Sequence, residues 1–108
     1  RTPYAATKWA VVGLVSRWRP SQGPDGIRVN AILPGPVQGD RMDRVIADRA
    51  EVTGVSFDEM REDYLRKASL RRMVEASDVA NMALFLASDL ARNVSGQVIS
   101  VDGNMEYV

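Results

Sequence analysis

The sequence contains no histidine and no cysteine. Those absences remove a thiol nucleophile, a disulfide, a Cys/His zinc site and any Ser-His-Asp triad drawn from this chain alone. No metal ligands are expected. Net charge is also missing: 14 Lys+Arg balance 14 Asp+Glu, so the basic excess typical of nucleic-acid binders is absent. No apolar run approaches the length of a membrane span, and no repeat or low-complexity tract occurs. The expectation is therefore no nucleic-acid partner, no membrane and a cytoplasmic location, which the lack of cysteine fits. The chain opens Arg1-Thr2-Pro3 without an initiator methionine or a signal-like stretch. A helix start at the very edge suggests that the functional unit is longer than 108 residues.

What is present is ordinary globular material, 45% hydrophobic and 26% charged, enough to pack one domain or part of one. Thr2-Pro3 reads as an N-cap and first helical position. A helix from Tyr4 to about Trp18 follows, stopped by Pro20 and the turn cluster to Gly26. Residues 27–33 are short, β-branched and bounded by turn residues, as in a strand. Met42, Val45 and Ile46 suggest a short amphipathic helix. Ser56 and Glu59 form a capping-box signature ahead of Phe57, Met60 and Tyr64, in a helix to about Lys67. Val79, Met82, Ala83, Leu86 and Leu90 make the longest helical stripe, and residues 97–101 read as a second strand. Strands joined through helices imply a parallel α/β sheet. Two short strands do not make a stable sheet alone, so the pattern reads as the end of a larger α/β fold.

Chemistry is concentrated at the front. Tyr4 and Lys8 stand four apart on the expected helix and so share a face. A phenol is a poor base near neutrality, and an adjacent ammonium favours its ionised form. Such a pair can pass a proton to or from a carbonyl or alcohol oxygen. The spacing alone is weak, because an exposed i,i+4 pair is the plainer reading.

The neighbouring words carry more information. Pro3-Tyr4-Ala5-Ala6-Thr7-Lys8 and its continuation to Leu14 resemble the active-site segment of the short-chain dehydrogenase/reductase family. Residues 26–37, ending Pro34-Gly35-Pro36-Val37, match a second block at the family's distance from the Tyr. Ser69–Met73 with residues 78–88, and then Val94–Gly103, supply two more in order. The resemblance is to the shorter single-domain branch, which includes 3-oxoacyl-carrier-protein reductases and 3-hydroxybutyrate dehydrogenases. It implies that residues 1–108 are the C-terminal half of one doubly wound, Rossmann-like α/β domain, without the dinucleotide-phosphate-binding half. It implies NAD or NADP as cofactor, a small alcohol or carbonyl substrate, and a homodimer or homotetramer. Tyr4 would be the proton donor or acceptor and also a cofactor-binding residue, and Lys8 would assist it and hold the nicotinamide ribose. Pro34, Gly35 and Val37 would bring backbone groups to the nicotinamide, beyond a strand's carboxyl end. Without the resemblance, Pro34-Gly35-Pro36 is a strand-ending turn.

The match also has gaps. The family's glycine-rich phosphate loop, its Asn-Ala-Gly segment and the Ser before the Tyr have no counterpart here. Many relatives carry Thr two residues after the Val37 position, where this chain has Gly39. Residues 17–22 depart from an amphipathic Leu-Ala-x-Glu-Leu turn. Natural divergence explains that, as does a local frame shift, because codons for residues 16–21 read one register over can spell Leu-Ala-Ala-Glu. Phe57, Met60 and Tyr64 read as packing rather than pocket, and Arg71-Arg72 as a solvated or salt-bridged pair. The alternatives to an enzyme half are a non-catalytic truncated scaffold of the same fold and an extended relative acting on nucleotide sugars. The second is disfavoured by the five residues that follow Gly103.

Overall fold

The computed structural model describes residues 2–106, with the side chains of residues 18–23 outside the description. The six principal elements are α1 (Thr2–Gln22), β1 (Ala31–Pro34), α2 (Asp40–Thr53), α3 (Phe57–Arg66), α4 (Ala76–Ala87) and β2 (Val98–Val101). Short 3₁₀ turns occupy Gly23–Asp25 and Asp89–Ala91. The chain divides into two compact units, Arg1–Leu33 with Met82–Ile99 and Pro34–Asn81 with Ser100–Val108. No helix among the described residues is long and apolar enough to cross a membrane.

In the first unit, α1 is rich in Ala, Val and Leu, and its Ser16 hydroxyl donates back to the Val12 carbonyl. The helix begins at Thr2 and runs through Pro20 to Gln22, beyond the expected stop. Pro20 forgoes one backbone donor in the last turn without ending it. Gly26 at φ 74 then redirects the chain. Val15 is buried, while Tyr4, Trp9, Val11 and Leu14 are each more than half exposed. Apolar side chains thus lie exposed on more than one face of α1.

Residues 27–30 are extended but form no ladder, because side chains replace the ladder bonds there. Asn30 donates from Nδ2 to the Val94 carbonyl (2.9 Å) and accepts at Oδ1 from the Gln97 N–H (3.0 Å). The Ser95 hydroxyl accepts from the Val29 N–H, and the Gly96 N–H donates to the Val29 carbonyl. The strand therefore begins four residues later than its composition suggests. β1 pairs with β2. The bonds from Ala31 N–H to Gln97 O and from Gly35 N–H to Val101 O advance together by four residues, so the pairing is parallel.

In the second unit, Ile46 and Ala50 of α2 pack on Met60 of α3 and on Met73, with Met42, Tyr64 and Leu65 around them. Asp40 and Asp43 lie in the first turn of α2 and suit its positive end. Gly54, in the left-handed conformation, closes it. The capping box of α3 is complete: Glu59 N–H donates to Ser56 Oγ (3.1 Å), and Ser56 N–H to Glu59 Oε2 (2.9 Å). Met60 is buried and Tyr64 packs beside it, whereas Phe57 stays 38% exposed. The reading of this stripe as packing holds for the first two. Of the α4 stripe only Leu86 is buried, and Leu90 lies in the 3₁₀ turn after the helix, largely exposed. Ser88 N–H bonds to Leu84 and Phe85 carbonyls, ending the helix before Leu90 can keep phase.

Candidate active site

α1 holds Tyr4 and Lys8 one turn apart, which places the Lys8 ammonium over the Tyr4 ring face, 5.4 Å from its centroid. At that range a cation is attracted by the ring. Tyr4 is 65% exposed. Its carbonyl accepts from the Thr7 hydroxyl (2.8 Å), while its own hydroxyl has no hydrogen-bond partner among the described residues. Nor does the Lys8 ammonium have an ion-pair partner among them. A proton-carrying hydroxyl and a fixed positive charge thus stand together, both open to a ligand.

Pro34, Gly35 and Val37 belong to the second unit and are described there. Pro34 is the last residue of β1, where a missing N–H is tolerated. Gly35 donates to Val101 O at 2.9 Å. Val37 forms a parallel bridge with Val74. The bonds of that bridge run from Gln38 N–H to Val74 O (2.8 Å) and from Val74 N–H to Pro36 O (3.1 Å). In a parallel bridge the flanking residues make the bonds, and the central residue's own N–H and C=O point the other way. Val37 therefore keeps both backbone groups unpartnered among the described residues. A primary carboxamide, such as that of nicotinamide, needs one donor and one acceptor side by side, and Val37 offers that pair. Gly39, at φ 147 ahead of α2, has no side chain to add a contact.

Three groups went unmarked by spacing. Asn30 organises the approach to β1 through its side-chain amide. Asp102 lies almost fully buried against Gly35. Arg61 shares a cavity with Arg71 and Arg72, ten residues on and past a helix end. No periodicity links them.

Comparison with known proteins identifies the family. The family profile described as Enoyl-(Acyl carrier protein) reductase matches residues 1–106. A short-chain type dehydrogenase/reductase of Sinorhizobium fredii is 42% identical over 102 residues, covering 94% of this chain and 36% of the relative. A 3-oxoacyl-[acyl-carrier-protein] reductase of Staphylococcus epidermidis is 35% identical over 102 residues, covering 94% and 37%. Among solved structures, an actinorhodin polyketide ketoreductase crystallised with NADPH superposes with a TM-score of 0.86 at 30% identity, covering 98% of this chain and 41% of that one. The chain belongs to the short-chain dehydrogenase/reductase family. Its α/β architecture with a parallel sheet is that of a piece of a Rossmann-like domain. Members of the family bind NAD or NADP. The chain spans somewhat over a third of the length of the curated relatives it matches.

Proposed function

We propose that these residues form the C-terminal, catalytic half of an NAD(P)-dependent oxidoreductase that interconverts a secondary alcohol and a carbonyl. The observation that carries this reading is the Tyr4–Lys8 pair, with the ammonium over the ring and, among the described residues, no hydrogen-bond partner on the hydroxyl and no ion-pair partner on the ammonium. Tyr4 is the proton donor or acceptor at the substrate oxygen. In the oxidation direction the Tyr4 oxygen takes the alcohol proton as the carbon–hydrogen bond breaks. In reduction the Tyr4 hydroxyl returns that proton to the carbonyl oxygen. Lys8 holds its ammonium against the Tyr4 ring while the proton moves. Bound NAD or NADP supplies the hydride acceptor or donor. The backbone N–H and C=O of Val37 suit the carboxamide, with Pro34 and Gly35 shaping the turn that presents them.

A complementary dinucleotide-binding half completes the domain in this reading. The exposed apolar residues of α1 support it, as does a sheet of only two strands. Those faces also suit a homodimer or homotetramer, with a small-molecule substrate and a cytoplasmic location. Residues 1–108 alone are expected to be inactive, so the test follows absorbance at 340 nm as the domain with its dinucleotide-binding half consumes NADH or NADPH with a panel of ketones and 3-oxo thioesters. One-to-one loss of reduced cofactor and carbonyl supports the reading. No cofactor consumption across the panel, with cofactor binding demonstrated, overturns it.

A further inference from the structure

The second unit contains a cavity of about 410 Å³ whose wall carries three arginines, Arg61, Arg71 and Arg72. That volume suits a small-molecule ligand. Two carboxylates, Glu75 and Asp78, also face it. Asp78 is already engaged, since its Oδ2 accepts from the Glu75 N–H at 2.9 Å and caps the start of α4. Glu75 is exposed. Neither Arg61 nor Arg72 has an ion-pair partner among the described residues. The wall therefore carries three guanidinium groups against two carboxylates, a surplus of positive charge, with Leu65 and buried Met73 also lining it.

Arg71 adds an independent sign. Its backbone sits at φ 54, whereas five of the other six positive-φ residues are glycines. A non-glycine residue there costs about 1 kcal/mol. Such strain persists where the surroundings hold it, commonly at ligand sites. One guanidinium nitrogen, Nη1, donates to the Arg66 carbonyl at the end of α3 (2.7 Å). That bond fixes the side chain beside the cavity and leaves further N–H donors of the guanidinium free.

We propose that this cavity binds a compact oxyanion, a phosphate or carboxylate carried by a small molecule, through Arg61, Arg71 and Arg72. Guanidinium groups are suited to it because their planar fork pairs two N–H donors with two oxygens. The site stands apart from the Tyr4–Lys8 assignment, and binding rather than turnover reads it out.

The experiment follows the arginine Nε–H resonances of the purified protein by NMR during titration with sodium phosphate or sodium acetate, ionic strength being held constant with chloride. The expected result is saturable shifts at Arg61, Arg71 and Arg72 and none at Arg44 or Arg49 of α2. Arg61→Ala and Arg72→Ala should each weaken binding about fivefold or more. Arg71→Gly, which suits the backbone at this position, should stay folded with a melting temperature no lower than the parent's while binding weakens. Tighter phosphate than acetate identifies a phosphorylated ligand, and the reverse order a carboxylate-bearing one. Linear shifts shared with Arg44 overturn the proposal, as does binding that survives all three substitutions unchanged.

Discussion

A methyl group placed on Gly35 would lie 2.8 Å from both Cα and Cβ of Asp102. The neighbour is backbone, so it cannot swing aside as a long side chain would. Nor can Gly35 retreat freely, since its N–H bonds to Val101, the residue before Asp102. Asp102 is itself held, 9% exposed with Oδ1 accepting from the Asn104 N–H at 2.9 Å. Gly35→Ala should therefore lower unfolding stability by about 1–3 kcal/mol, the usual range for overpacking. Urea denaturation measures it, and an unchanged midpoint contradicts the packing.

Asn30 joins two backbone groups outside the ladder, the Gln97 N–H and the Val94 carbonyl, the latter also accepting a longer bond from Arg28 Nη1 (3.4 Å). Alanine in its place leaves both without that partner. The expected loss is about 2 kcal/mol, from two hydrogen bonds worth roughly 1 kcal/mol each. Asn30→Asp keeps the acceptor but sets a carboxylate against the Val94 carbonyl, so it should not restore stability. Thermal unfolding of the two variants against the parent decides this.

The capping box makes α3 sensitive to acid. Hydrogen bonds to Glu59 from the Ser56 backbone N–H and then its hydroxyl lower the Glu59 pKa, opposed weakly by burial. A carboxylate with a depressed folded-state pKa stabilises the fold above its unfolded pKa. The contribution disappears as pH falls through the lower, folded value. Glu59→Gln should accordingly flatten the acid side of the stability profile between those two values. Ser56→Ala removes the cap acceptor and should cost about 1 kcal/mol near neutrality. A Glu59→Gln profile parallel to the parent's through the acid range would contradict that coupling.

Local chemistry made several elements readable from sequence. The Ser56–Glu59 box and the phase of Met60 and Tyr64 place α3 and its buried side, because caps and helical period are set within a few residues. Elements shaped by distant partners were not readable in the same way. The strand's start moved from Ile27 to Ala31 because Asn30 and Ser95 intervene, 65 positions apart in sequence. α1 continued through Pro20, whose composition argued for a stop. At the candidate site the i,i+4 rule put Lys8 on the Tyr4 ring directly. The N–H and C=O of Val37, unpartnered among the described residues, depend on its bridge to Val74, a pairing that spacing does not encode. The Arg61–Arg71–Arg72 grouping likewise exists only once α3 has folded back.

Proton transfer by Tyr4 is the central claim, and replacing its hydroxyl tests it most directly. Tyr4→Phe keeps the ring under the Lys8 ammonium and removes only the hydroxyl group. In steady-state turnover of the domain with its dinucleotide-binding half, followed through the reduced cofactor at saturating cofactor, kcat should fall by about 10² or more. Turnover within a few fold of the parent's, at matched cofactor binding, would contradict the account.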